Sequence, residues 1–179
     1  MNEQILMELV ERMRSRFYGK YRGTVTKVDQ QHLPRIKAKV PAVLGDQETG
    51  WCMPCVPYAG NDAGIAFMPE VDAGVWIEFE GGDVSYPIWT GCYWHLNELP
   101  AAVAPDVKVI KTPGNQHAVF SDKDHLIAIR DSNKNSVALD RDGITLRRQV
   151  AEQPNDSADG QIAVTAGKVS VNGGAMEVT

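Results

Sequence analysis

The fold is decided by residues 64–94, which read GIAFMPEVDAGVWIEFEGGDVSYPIWTGCYW. Within this stretch, three apolar residues recur at every second position: Val75, Ile77 and Phe79. A period of two places them on one face of a strand, with polar or amphipathic residues on the other. Gly-Gly-Asp at 81–83 supplies the positive φ angles of a hairpin turn, and Pro87 makes the second strand lie at an edge or start late. The stretch therefore predicts two strands joined by a tight turn.

Turn signals divide residues 21–94 into five short predicted strands: 21–28, 35–40, 51–56, 75–80 and 86–93. Five strands of this length suit a small Greek-key barrel of the OB type. Many such barrels bind nucleic acid through a basic groove with exposed aromatic side chains. The four tryptophans are Trp51, Trp76, Trp89 and Trp94. They lie in an acidic part of the chain, which disfavours nucleic acid as a partner.

Charge is segregated along the chain, although the net charge is only −5. Residues 12–39 carry nine Lys or Arg and one acidic residue, whereas residues 40–107 carry ten Asp or Glu and no Lys or Arg. Such unlike surfaces can steer docking between neighbouring subunits, and the solvated faces of a barrel explain the pattern equally well. No run approaches the ~20 apolar residues of a membrane helix, and three cysteines, an odd number, argue against a disulfide framework.

Residues 2–17 predict an amphipathic helix, with Asn2 as a possible cap and Gly19 as its terminator. Its apolar stripe has helical spacing and consists of Ile5, Leu6, Leu9, Val10, Met13 and Phe17. Three basic residues near the end suit the helix dipole: Arg12, Arg14 and Arg16. A helix this short is marginal alone, so the stripe must be buried against its own barrel, sister chains or another protein.

Six short units downstream share the pattern apolar, small or polar, apolar: 126–130, 137–139, 144–146, 162–164, 169–171 and 176–178. Several are spaced by seven residues, which predicts a repeat of a three-residue strand and a turn, interrupted by a loop at 149–160. Such strands cannot form a compact core in one chain, so we expect a narrow β-prism built from three chains. The expected trimer core consists of Ile127, Ile129, Val137, Leu139, Ile144, Leu146, Ile162, Val164, Val169, Val171, Met176 and Val178.

Several segments, in order, resemble the barrel domain of the central spikes of contractile tails. They are 23–29, 34–41, 51–60, 69–75, 79–83, 86–88 and 91–93, and together they span roughly residues 20–95. The family includes phage baseplate assembly protein V, the tail-spike protein of large contractile phages and the VgrG spike of type VI secretion. Spikes of this family carry an OB barrel and a C-terminal intertwined trimeric β-helix or β-prism.

The resemblance implies a structural, non-enzymatic homotrimer without a cofactor, made in the bacterial cytoplasm and located in the baseplate of a virion or phage tail-like particle. A baseplate hub protein would hold it, and the spike would pierce the target cell envelope when the sheath contracts. The residues expected to face the hub are Ile5, Leu9, Arg12, Met13, Arg14 and Arg16. Some relatives hold iron at the tip through a His-x-His motif, which this sequence lacks, so a separate PAAR-type tip protein is expected instead.

The predicted organisation is mostly β, with an N-terminal helix at 1–19 and a barrel at 20–95. A connector at 96–116, rich in Pro and Ala and with little regular structure, precedes a β-helical spike at 117–179. The largest relatives insert a lysozyme domain between barrel and prism, and this connector is too short to hold one. VgrG chains also begin with a hub domain, which is not found in this sequence.

Two other interpretations rest on the cysteines. The string Trp51-Cys-Met-Pro-Cys55 resembles the active site of thioredoxin-like oxidoreductases, which requires a helix directly after the first cysteine, whereas strand and turn residues follow here. The spacing of four residues also permits a Cys₃His zinc site: Cys52, Cys55, Cys92 and His95. A zinc-binding or thiol-redox barrel protein is therefore the alternative to a spike, and a generic OB binding module is the third possibility.

Overall fold

The computed structural model describes residues 3–32, 34–149 and 160–178. The predicted cap Asn2 and most of the predicted loop 149–160 lie outside these residues. The chain is mostly β, as predicted, and divides into two compact units, of which the first ends at Glu98 and the second begins at Leu99. Among the described residues, no helix has the length and apolar character needed to cross a membrane.

The first unit contains two helices and seven strands in its described part: α1 (Glu3–Arg14), β1 (Tyr21–Val28), β2 (Ile36–Lys39), α2 (Pro41–Leu44), β3 (Met53–Pro54), β4 (Ala59–Gly60), β5 (Ala63–Gly64), β6 (Gly74–Phe79) and β7 (Pro87–Tyr93). Five strands form a curled half-barrel in the order β2-β1-β6-β7-β3. Strands β4 and β5 pair separately. Helix α2 was not predicted, and Pro41 stands in its first turn, where the missing N–H costs nothing.

Four of the five predicted barrel strands lie within one residue of strands β1, β2, β6 and β7. The predicted strand 51–56 shrinks to Met53–Pro54, because Pro54 and Pro57 have no N–H to donate to a ladder. The core consists of buried side chains from this sheet and its loops: Val25, Ile36, Ala38, Val40, Cys52, Val75, Ile77, Phe79 and Trp89. The apolar face predicted for β6 is therefore confirmed.

The connection between β6 and β7 confirms the predicted positive φ angles, with Gly81 at 56° and Gly82 at 76°. The connection is longer than a tight hairpin turn, since a 3-10 turn at Glu80–Gly82 precedes the start of β7 at Pro87. The late start predicted for the second strand is confirmed.

Helix α1 ends at Arg14, so the predicted end at residue 17 and the predicted terminator Gly19 are wrong. Phe17 leaves the helix because its backbone N–H donates to the carbonyl of Gly82 at 2.8 Å. Its ring packs at 6.2 Å from Tyr21 and 6.4 Å from Phe79. Tertiary contacts with the barrel thus override the helical spacing of Phe17.

In its described residues, the second unit is an antiparallel meander of eight strands: β8 (Val107–Lys111), β9 (His117–Ser121), β10 (Leu126–Arg130), β11 (Asn135–Leu139), β12 (Ile144–Arg148), β13 (Gly160–Thr165), β14 (Lys168–Val171) and β15 (Met176–Val178). All six predicted units form strands. Most of the strands are longer than three residues, because polar flanking residues such as Asn135 and Arg148 also pair.

Strand β8 lies inside residues 96–116, where a connector with little regular structure was predicted, so that prediction is wrong for these five residues. The strand forms because all five residues of β8 pair with β9, from Val107 opposite Ser121 to Lys111 opposite His117. Strand β9 was not among the six predicted units either. Val107-Lys108-Val109 has the pattern of the six predicted units, but Ile110 directly follows Val109 and breaks the period of two.

Candidate functional site: an uncovered apolar sheet face

The register of the second sheet brings the twelve predicted trimer-core residues together in two rows. Directly opposed residues lie on the same face of an antiparallel sheet. The first row runs across the strands as Ile127, Leu139, Ile144, Val164, Val169 and Val178. The second row runs as Ile129, Val137, Leu146, Ile162, Val171 and Met176. Because residues two apart in a strand also share a face, both rows lie on one side, here called the aliphatic face.

The aliphatic face has no covering layer within the described part of the second unit. Ten of the twelve side chains are between 38% and 62% exposed, and Val137 and Val171 are half-buried. Contiguous apolar patches of this kind mark interaction sites in proteins that fold normally. Since each side chain is already about half buried, covering the face adds roughly 1 kcal/mol per side chain.

Residues that sequence reasoning missed extend the aliphatic face. Phe120 lies opposite Ile127, and Ala118 lies opposite both Ile129 and Ile110. The second row borders a cavity of about 800 Å³ with a mostly apolar lining, to which Ile110, Ile129 and Leu146 contribute. The signal that could have found these residues is the short apolar run in each strand: Val109 and Ile110 in β8, and Ala118, Val119 and Phe120 in β9.

The opposite face of the sheet carries small side chains. Its central row runs as Val119, Ala128, Ala138, Thr145, Ala163 and Ser170. A parallel row carries Arg130, Ser136, Arg147 and Gln161. The two faces therefore differ in chemistry, and the aliphatic face is the one that gains from a partner.

Aspartate side chains hold two of the turns that set the register. Asp131 accepts backbone N–H donors from Asn133 and Asn135, and the Asn135 side-chain amide holds the pKa of Asp131 below its ordinary value. Asp140 accepts the N–H groups of Asp142 and Gly143 in the next turn. Because a one-residue slip would move every aliphatic side chain to the other face, these turns protect the aliphatic face.

In the first unit, the residues directly after α1 are hydrogen-bonded to the turn that follows β6. Arg16 Nη1 lies 3.1 Å from Asp83 Oδ2 and 3.3 Å from the Gly81 carbonyl. Hydrogen bonds from Ser85, together with the Arg16 guanidinium, hold the pKa of Asp83 below its ordinary value. A Cβ on Gly82 would meet the Phe17 nitrogen at 3.1 Å, so the turn needs glycine for close approach as well as for φ.

The residues predicted to face a hub have different environments. Arg16 is engaged with Asp83, whereas Ile5, Leu9 and Met13 are exposed. The side chains of Arg12 and Arg14 lie outside what the structure describes. The exposed apolar residues of α1 thus form a second uncovered surface, in the first unit.

The cysteines lie in environments that do not suit redox or zinc chemistry. Cys52 is buried beside Thr49, 3.2 Å from its hydroxyl, and burial raises its pKa, whereas a catalytic thiol needs a lowered one. Cys55 and Cys92 are exposed free thiols. No helix follows Cys52 directly, and in the described residues no group of three or more His, Cys, Asp or Glu is placed to hold a metal ion.

Two of the four tryptophans lie against basic side chains, although the linear sequence places all four in an acidic part of the chain. Trp51 lies under the Lys37 ammonium at 5.2 Å, and Trp76 lies under the Arg22 guanidinium at 5.7 Å. Trp89 is a core residue whose indole N–H donates to the Pro34 carbonyl. Residues 40–107 are therefore acidic in the linear sequence, whereas in the fold basic side chains from β1 and β2 lie against residues of this segment.

Comparisons with known families match both units. Residues 21–94 match the family model described as the type VI secretion system/phage-baseplate injector OB domain. Residues 107–177 match the phage baseplate V C-terminal trimerisation domain. No curated protein matches the chain. The OB match agrees with the curled sheet, and the trimerisation match covers the strands that carry the aliphatic face. The two matches together cover most of the chain, so the chain belongs to the phage baseplate V family of baseplate spike proteins.

Proposed function

We propose that this protein is the homotrimeric central spike of a contractile tail baseplate, held below the hub and driven through the target envelope when the sheath contracts. The observation that carries the proposal is the aliphatic face of the second unit, which is continuous over six strands and uncovered within the described part of that unit. The match to a trimerisation domain supports a cover made by two further copies of the chain.

Three such sheets, packed through their aliphatic faces, would give the predicted three-sided β-prism. Twelve side chains per chain at roughly 1 kcal/mol each make the assembled state far more stable than three separate chains. Because this stabilisation exists only in the trimer, unfolding requires dissociation and the rod gains kinetic stability. A stiff rod suits a mechanical function, and this mechanism requires no catalytic residue or cofactor.

The first unit is the part that we assign to the hub protein. The match of this unit to a phage-baseplate injector OB domain supports a place within the baseplate. At the piercing end, we keep a separate PAAR-type tip protein as a proposed partner, because the four histidines, at 32, 95, 117 and 125, include no His-x-His pair. The proposed location is a virion or phage tail-like particle, after synthesis in the bacterial cytoplasm.

Electron microscopy of particles that carry a small peptide tag on this protein tests the assignment. The tag antibody should bind at the baseplate end of extended tails, and a strain lacking the gene should produce no particles that kill target cells. Labelling along the sheath or at the head, or full killing without the gene, would refute the spike function.

A further inference from the structure

Helix α1 presents an apolar stripe that nothing in the described part of the first unit covers. Its five apolar side chains are between 41% and 70% exposed: Ile5, Leu6, Leu9, Val10 and Met13. A helix of twelve residues is marginal in water without tertiary packing. The stripe therefore needs a partner outside the described part of the first unit.

The spacing of the stripe matches a short coiled-coil seam. Leu6, Leu9 and Met13 follow the three-then-four spacing of positions a, d and a in a heptad. Ile5 and Val10 flank this seam on its two sides, where coiled-coil dimers usually carry charged residues. The resulting face is wider than a two-helix seam, as is required when each helix touches two neighbours.

Apart from Met7, which is exposed, the helix surface away from the seam carries polar residues such as Gln4, Glu8 and Glu11. Burying the carboxylates of Glu8 and Glu11 without partners would be costly, so an apolar partner covers the stripe and not this side of the helix. This arrangement leaves a defined polar surface for contacts outside the covered face.

The family assignment supplies the occupant, because the trimerisation domain holds three copies of α1 in one assembly. Tethering of this kind raises the local concentration of each helix to roughly millimolar, which suffices for contacts too weak to form between free helices. Equivalent helices around a three-fold axis are necessarily parallel. Sister helices are also present as soon as the trimer forms, whereas a stripe kept for the hub would stay exposed until the hub arrived.

We propose that the three α1 helices of the trimer pack against each other through Leu6, Leu9 and Met13, as a second trimer contact separate from the trimerisation domain. This inference rests on the proposed homotrimer. Arg16 and Phe17 fix the base of each helix to its own barrel, so the bundle links the three barrels. Hub contacts then fall on the polar side of the helices and on the barrels.

Cysteine cross-linking in the intact protein tests the bundle. The background carries Cys55→Ser and Cys92→Ser, which remove the two exposed thiols, and leaves Cys52 in the core. Leu9→Cys lies in the seam, and the matched control Glu8→Cys lies beside it on the polar side. With a short bis-maleimide, we expect covalent dimers to form at least about tenfold faster at position 9 than at position 8. Met13→Cys against Glu11→Cys repeats the comparison with a second pair.

Light scattering of each variant distinguishes a failure of the helix bundle from a failure of the proposed homotrimer. Trimers that cross-link equally at seam and control positions, in both pairs, would overturn the helix bundle and leave the proposed spike intact. Monomers in every variant and in the parent protein would overturn the proposed homotrimer and the bundle together. Trimers with fast cross-linking at positions 9 and 13 alone support the bundle.

Discussion

The Arg16 guanidinium lies 3.1 Å from the Asp83 carboxylate. Because α1 ends at Arg14, this ion pair joins the segment directly after the helix to the turn between β6 and β7. Both side chains are about one-third exposed, at 32% and 35%. The pair, the Phe17 backbone hydrogen bond and the close approach of Gly82 together make one junction between helix and barrel. Gly81 and Gly82, which indicate a hairpin turn in the sequence, therefore also let the residues after α1 pack against that turn.

Replacing Arg16 by Ala should change the free energy of unfolding of the barrel by less than about 1 kcal/mol, because an ion pair that is about one-third exposed to solvent contributes little. The local effect should be larger: amide exchange of Phe17, whose N–H bonds to Gly82, should accelerate. Hydrogen exchange with mass spectrometry measures both. Unchanged exchange at Phe17 would show that Arg16 does not hold the junction.

Gly82→Ala should destabilise the barrel by roughly 2–3 kcal/mol, since the new Cβ combines a positive φ with a clash against Phe17. The matched control is Gly81→Ala, which has a positive φ but no atom within 4 Å of the added Cβ. It should cost only about 1 kcal/mol. Chemical denaturation of the two variants tests this order, and equal losses would contradict the proposed close packing of the junction.

Acid should weaken the barrel through Asp29. Burial raises the pKa of this carboxyl, but Arg35 and the N–H groups of Gln31 and His32 outweigh burial and bring it to about 2, below its ordinary 3.8. Stability from a depressed carboxyl pKa is present above the unfolded value and is lost as the pH falls through the folded value. The difference in unfolding free energy between the parent and Asp29→Asn should therefore shrink from pH 4 to pH 2. A difference that stays constant over this range would exclude the assigned role of Asp29.

Gly143→Ala should disrupt the pairing of β12 with β13, because its Cβ would lie 1.9 Å from the Val164 carbonyl oxygen. Gly167→Ala is the control, with a positive φ and no atom within 4 Å. The control should cost about 1–2 kcal/mol, and Gly143→Ala clearly more. Thermal unfolding of the trimer measures the difference, and a Gly143→Ala protein as stable as the control would disprove the observed register.

The rows of the aliphatic face were predictable because a period of two survives in each short unit, and antiparallel pairing then aligns the units. Strand β8 keeps that period only from Val107 to Val109, since Ile110 directly follows Val109 and breaks the alternation. The junction was hidden for another reason. In the sequence, Arg16 is explained equally well by the helix dipole and by an ion pair, and Phe17 continues the helical spacing. The positions of both residues are determined by contacts with residues 65 or more positions away in the chain.

Leu146→Asp should weaken the trimer, because it places a carboxylate in the middle of the aliphatic face. Burying three unpaired charges should raise the dissociation constant at least about 100-fold. Thr145→Asp is the matched control, because Thr145 directly precedes Leu146 in β12 and its side chain lies on the opposite face of the sheet. Analytical ultracentrifugation of both variants should show dissociation of the first alone. Similar effects at both positions would contradict the assignment of the faces.

The central claim is that the aliphatic face is covered by two further copies of the chain. Multi-angle light scattering of the intact purified protein at micromolar concentration tests it most directly. The predicted result is a single species with three times the mass of one chain. A single species with the mass of one chain would contradict the spike function.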